Sequence, residues 1–342
     1  MPKPVLWIAG TVLALLLLGF GGRLYATRVM SQRALTPKAL GSATPATVAI
    51  PFVRISVQSG DRMLIGWWVR ARGDAGKPAP ALLFLHGNAS TISDYVTLQR
   101  FFYRQGVSTM VFDYTGFGGS GGTASLSNAV QDAGRVARAF FDSAGVARKV
   151  AMGSALGATV LLQAIDSVQP QVNGIVIEGV DASVKESAVR SGRLPRFIAP
   201  LVADIGNNVT AAARVRVPTL AIQSREDSRT PFDNAMRVVA AIPSKTSLVK
   251  HWRKGHAALL ASSKVCDWQP VLAFVKSGVL PAAKVDSTDV CAVAKAAADS
   301  AKAAAAVAAA RANAQTRATP RKANTKSGKS AKAPAKAPAK KP

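Results

Sequence analysis

The chemistry of this chain turns on nine residues, Val150 to Ala158, reading Val-Ala-Met-Gly-Ser-Ala-Leu-Gly-Ala. A short apolar strand enters a tight glycine-flanked turn and a helix follows, the setting in which Gly-x-Ser-x-Gly presents a nucleophile. Strand and helix converge at such a turn, so the residues two before and two after its tip must be small. Here those are Gly153 and Gly157, which puts Ala155 at the nucleophile position. Alanine carries no nucleophilic atom. Centring the turn on Ser154 instead places Met152 and Leu156 at the crowded flanks, so Ser154 is the alternative nucleophile and the less favoured register. A second literal match, Gly118-Gly119-Ser120-Gly121-Gly122, follows the strand-like run Met110 to Tyr114, but no apolar helix starts directly after it. It reads as a flexible loop.

The elements that must position this turn follow from hydrophobic periodicity. Ile50–Val57 and Arg62–Arg70 read as strands joined by the turn Gln58-Ser59-Gly60-Asp61. Ala81–Leu85 is a continuous apolar run, as expected of a strand buried on both faces. Ser93–Gln105 reads as a helix, Val107–Tyr114 as a strand, and Ser125–Ala144 as an amphipathic helix with Ser125 as its cap. Past the turn, Ala155–Ile165 continues as a helix and Val172–Glu178 as a strand. Asp181–Val215 breaks the rhythm and reads as a small lid or a crossover. Strand Pro218–Gln223, helix Pro231–Ala241, strand Ser247–Trp252 and closing helix Asp267–Ser277 complete the domain. The alternation predicts an α/β fold, a mainly parallel sheet with helices on both faces.

With these elements in order, the chain resembles the α/β-hydrolase superfamily, in the serine aminopeptidase-like branch that includes membrane-anchored esterase and thioesterase-like proteins. The resemblance rests on Leu83-Phe84-Leu85-His86-Gly87-Asn88, on Phe112-Asp113-Tyr114-Thr115-Gly116-Phe117-Gly118-Gly119-Ser120-Gly121, on the turn at Ala155, and on two later loops; it spans about residues 50–280. It implies the chain order nucleophile, acid, histidine. The acid falls on Asp227, in Ser224-Arg225-Glu226-Asp227, with Glu226 as runner-up, and the base on His256, in Lys254-Gly255-His256. His251 lies in or at the end of the last strand and reads as structural. The oxyanion hole would take the backbone N–H groups of Asn88 and Leu156, with His86 and Gly87 as motif residues ahead of Asn88.

A base, an acid and an oxyanion site around a missing nucleophile leave three readings open. The site holds a small acyl or ester-type ligand without turnover. Alternatively His256, oriented by Asp227, activates water directly. Or Ser154 serves from a distorted turn. No cofactor is implied. With no Cys-x-x-Cys or His-rich cluster, a metal site is unsupported.

Appendages flank this domain. Residues 1–22 contain an uncharged apolar run, Val5 to Gly22, about 27 Å long as a helix. That is just enough to span a bilayer, and a cleaved signal sequence is the competing reading. Residues 23–49 read as a linker, residues 50–280 as the hydrolase-like domain, and residues 281–342 as a basic Ala/Lys/Pro-rich tail. The expected location is a single-pass membrane protein, with the side of the domain open: Lys3 precedes the span, while Arg23, Arg28, Arg33 and Lys38 follow it. Cys266 and Cys291 form either a disulfide or two inert thiols. Net charge is +26, and from Val293 onward the chain holds 12 Lys or Arg against one acid, Asp299. Repeated Pro and Ala exclude a packed core there, so the tail reads as disordered. Such a polycation binds nucleic acid, anionic lipid or an anionic envelope polymer through counterion release.

Overall fold

The computed structural model describes residues 3–73, 78–143, 145–262, 264–281 and 306–307, with backbone alone for residues 3–10, 143 and 247–254. The chain divides into two units, Met1–Ala294 and Lys295–Pro342. In the second, only the helical pair Ala306 and Val307 is described, so the expected disordered tail lies outside the described residues.

The first unit begins with a long helix, α1 (Lys3–Arg33), and continues through β1 (Val53–Ser59), β2 (Arg62–Val69), β3 (Ala81–Leu85), α2 (Val96–Arg104) and β4 (Ser108–Phe112). Next come α3 (Leu126–Ser143), β5 (Lys149–Ser154), α4 (Leu156–Gln163), the single turn α5 (Ile165–Val168) and β6 (Gly174–Glu178). The chain then forms α6 (Val184–Arg190), α7 (Asn208–Ala212), β7 (Thr219–Glu226), α8 (Phe232–Ala241), β8 (Thr246–Lys254) and α9 (Gln269–Ser277). Ser125 caps α3 as expected, its Oγ accepting from Asn128 N at 3.1 Å.

Eight strands form one sheet in the order β1-β2-β4-β3-β5-β6-β7-β8. The first two pairings, β1 with β2 and β2 with β4, are antiparallel and the others parallel. The continuous apolar runs are explained by burial on both faces. In β3, Ala81, Leu83 and Leu85 join one core while Leu82 and Phe84 join the other. β6 divides likewise, with Ile175 and Ile177 against Val176. The fold is therefore the α/β arrangement that the alternation predicts.

One segment differs from the sequence reading. Where residues 23–49 read as a linker, α1 continues unbroken to Arg33 and the chain beyond it lies on the domain, with Leu35 and Pro45 buried. Arg23 and Arg28 do not end the helix because arginine is a good helix former. Residues 181–215 form a small helical excursion that carries α6 and α7. Cys266 is disulfide-bonded, and Cys291 lies outside the described residues.

Candidate active site

The turn between β5 and α4 is as tight as its glycines require. A Cβ on Gly153 would sit 2.3 Å from the Gly157 carbonyl oxygen, and one on Gly157 would sit 1.9 Å from that of Leu85. Between them Ala155 has φ 53° and ψ −112°, a region where non-glycine residues cost about 1–3 kcal/mol. The Ala155 N–H donates to the Glu178 carbonyl at 2.8 Å, which ties the turn to the end of β6. Ala155 is thus the apex.

Ser154 is the last residue of β5 and fully buried, and its Oγ donates to Glu178 Oε2 at 3.0 Å. That hydroxyl is committed to a carboxylate at the strand end. The Gly118–Gly122 loop is not an elbow either. Ser120 Oγ donates to the Asp113 carbonyl at 2.7 Å and accepts from Ile65 N at 2.9 Å, so it pins a loop.

Asp227 and His256 meet at 2.9 Å, Oδ2 to Nδ1. Asp227 also accepts from the backbone N–H of Arg229 and Thr230 at 2.8 and 2.9 Å, and from Thr230 Oγ1 at 2.6 Å. Burial pushes its carboxyl toward higher pKa, but the hydrogen bonds from His256 and Thr230 outweigh burial and hold it below the usual aspartate value. An ionised carboxylate only accepts, so Nδ1 of His256 donates to it, and in the neutral imidazole this tautomer has its lone pair on Nε2. Glu226 is exposed at the end of β7, and His251 lies within β8, paired with Ser224.

His86 is buried beneath the Gly87-Asn88 loop, its Nδ1 2.9 Å from the Gly87 carbonyl oxygen and its ring 4.2 Å from that of Tyr114. Burial lowers its pKa to about 4, so it is neutral at pH 7. The 3.8 Å separation of Nε2 from Asp113 is then no ion pair. Tyr95 steadies the same loop, its hydroxyl accepting from Gly87 N at 3.1 Å. The Asn88 side chain is fixed from a distance: Oδ1 accepts from Thr36 N at 2.7 Å, and Nδ2 donates to the Ala34 carbonyl at 3.0 Å. Among the described residues, the backbone N–H groups of Asn88 and Leu156 have no acceptor.

Asn88, Ser154, Ala155, Leu156 and His256 all line one cavity of about 900 Å³. The segment read as lid or crossover supplies part of its wall, including Val184, Ala188, Arg190 and Arg193. Arg190 bridges Asp181 and donates to the Arg229 carbonyl at 2.7 Å, which joins this wall to the acid loop. Among the described residues no cluster of three His, Cys, Asp or Glu stands ready to hold a metal.

Sequence reasoning missed Glu178, Thr230 and the helix end Val29–Ala34 at this site. A carboxylate closing an otherwise apolar strand, Gly-Ile-Val-Ile-Glu, was a visible signal for the first. Buried Glu178 accepts from Leu259 N at 2.7 Å as well as from Ser154. Burial raises its pKa to about 7, partly offset by those two hydrogen bonds and by His256. Between about pH 4.5 and 7 the folded chain keeps a proton that the unfolded chain has lost, so stability falls as pH rises through that window. Glu178→Gln keeps an acceptor for Leu259 and cannot ionise. It should stabilise the fold at pH 8 by about 2–3 kcal/mol and by little at pH 5. Urea unfolding at both pH values checks this, and an equal gain at each would sink it.

A chain with this sheet order, this elbow and this acid–histidine pair belongs to the α/β-hydrolase superfamily. Residues 76–209 match the family model "Serine aminopeptidase, S33", and residues 203–289 match "TAP-like protein". An uncharacterised protein of Mycobacterium tuberculosis is 30% identical over 206 residues, 59% of this chain and 71% of that one. Among solved structures, an esterase of Pyrococcus furiosus matches at TM-score 0.52 and 19% identity, covering 65% of this chain and 89% of that one. The acylaminoacyl peptidase of Pyrococcus horikoshii matches at TM-score 0.54 and 16% identity, covering 69% of this chain and 44% of that one. At those identities the likeness is one of fold.

Proposed function

We propose that this protein is a membrane-anchored esterase- or peptidase-like α/β-hydrolase whose site binds an acyl or ester ligand and does not turn it over. The observation that carries the reading is Ala155, strained at the elbow apex and facing the same cavity as the Asp227–His256 pair. Asn88 and Leu156 N–H groups without acceptors suit an oxyanion or a ligand carbonyl. Binding then outlives catalysis, because those donors are backbone groups and need no particular side chain. The anchor is α1, in which Thr11–Arg33 is long and apolar enough to cross a membrane. The basic tail serves as a polyanion tether, a role that rests on its charge alone.

The test is p-nitrophenyl butyrate hydrolysis by the full-length chain in detergent, beside Ser154→Ala and His256→Ala. All three should be equally silent, while thermal-shift titration with the ester should register binding to each. Parent activity that disappears in Ser154→Ala would make this an ordinary serine hydrolase. Activity that survives Ser154→Ala but needs His256 would establish activated water, and either result overturns the binding reading.

A further inference from the structure

The C-terminal turns of α1 are part of the site. Val29, Met30, Arg33 and Ala34 line the cavity. Ala26 and Met30 pack on the apolar cluster of Ala188, Leu194 and Val202, together with Ile198 and Ala199. Thr27 Oγ1 accepts from Ala203 N at 3.3 Å, and Ser31 Oγ accepts from Leu126 N at 3.2 Å. The helix is thereby fixed to the lid on one side and to α3 on the other. The lid turns an apolar edge outward beside these contacts: Phe197 is 81% and Leu201 64% exposed, with Arg193 and Arg196 exposed on the same segment.

Depth along the helix indicates what covers that edge. The uncharged run ends at Gly22, and Ala26 follows four residues later, about 6 Å further along the axis. The headgroup layer on each side of a bilayer is about 5–8 Å thick. A helix spanning through Gly22 therefore carries Ala26, and the lid packed on it, at headgroup depth. Apolar side chains flanked by arginines suit that layer, because the rings and aliphatic groups enter the acyl boundary while guanidinium groups meet lipid phosphates.

We propose that the lid edge Leu194–Val202 is seated on the bilayer surface through Phe197 and Leu201, so that the cavity walled by α1 lies at the headgroup layer. This rests on the reading of α1 as a membrane span. The occupant is the bilayer itself. It follows from the continuity of this edge with the helix that enters the membrane and from the positive charge around it.

The experiment places photoreactive p-benzoylphenylalanine at one position at a time in the full-length chain, reconstituted in nanodiscs containing anionic phospholipid. The positions are Phe197 and Leu201 on the lid, Leu16 within the span, and Met63, which is exposed on the β1–β2 hairpin. Irradiation followed by mass spectrometry should give lipid adducts at 16, 197 and 201, each about tenfold or more above position 63, as insertion into the acyl boundary requires. Adducts at 16 but only background at 197 and 201 would overturn the docking while leaving the span intact. Background at 16 as well would remove the span and the docking together. Crosslinks from 197 or 201 to a second copy of the chain would overturn the proposal in favour of a dimer face.

Discussion

Ala155→Ser is expected to turn a silent chain into an ester hydrolase. The substitution adds one oxygen to a Cβ that already occupies the apex, at φ 53°, inside the cavity that His256 lines. Serine is nearly isosteric with alanine, so the backbone strain at this position is unchanged. The base is already oriented by its acid: Asp227 holds Nδ1 of His256 at 2.9 Å, so Nε2 is the atom to take the new hydroxyl's proton. The backbone N–H groups of Asn88 and Leu156, which have no acceptor among the described residues, are the candidate donors for the tetrahedral oxyanion. Loss of a serine nucleophile costs on the order of a millionfold in turnover where the rest of the machinery is intact. Its restoration should recover several of those decades, in p-nitrophenyl butyrate hydrolysis by the full-length chain. Ala155→Ser with His256→Ala should fall back to the parent's rate. A folded, ester-binding Ala155→Ser chain with no added activity would show that the cavity does not hold its ligand against the apex.

The part of this site that was legible in sequence is the part set by backbone contact or chain order. Gly153 and Gly157 mark the elbow because no Cβ fits at either position, a constraint carried by the residues themselves. Asp227 and His256 are placed by the family resemblance, on the loops after the last two strands, and the fold brings the two within 2.9 Å. What stayed hidden depends on contacts between distant segments. Nothing local to Ala34 or Thr36 announces that they hold the Asn88 side chain 52 or more residues away. For the same reason residues 23–49 read as a linker. Their small polar composition says little about whether the domain accepts them, yet Leu35 and Pro45 are buried. Thr230 was missed because a threonine three residues after an aspartate is common, and only the fold turns its hydroxyl onto Asp227.

Gly157→Ala should cost more than almost any other single methyl group added to this chain. The added Cβ would lie 1.9 Å from the Leu85 carbonyl oxygen, 2.6 Å from the Leu85 carbonyl carbon and 2.9 Å from the His86 carbonyl oxygen. All three are backbone atoms, so no rotamer change relieves the clash. Leu85 is paired with Gly153 in the β3–β5 ladder, and moving it disturbs the pairing on which the elbow stands. Moving α4 instead drags Leu156, whose N–H closes the candidate oxyanion site. Overpacking in a core usually costs about 1–3 kcal/mol, with softer neighbours than these. A fixed backbone on every side argues for about 4 kcal/mol or more. For a domain of this size that lowers the melting temperature by about 8–16 °C, or leaves the chain insoluble. Gly121→Ala is the matched control, since a Cβ there meets nothing within 4 Å, and it should melt with the parent. Circular-dichroism melts of the two variants decide the matter. A Gly157→Ala chain that melts within a degree or two of the parent would mean that α4 stands further from β3 than the elbow requires. The backbone N–H of Leu156 would then be too far from Asn88 for the two to share one oxyanion.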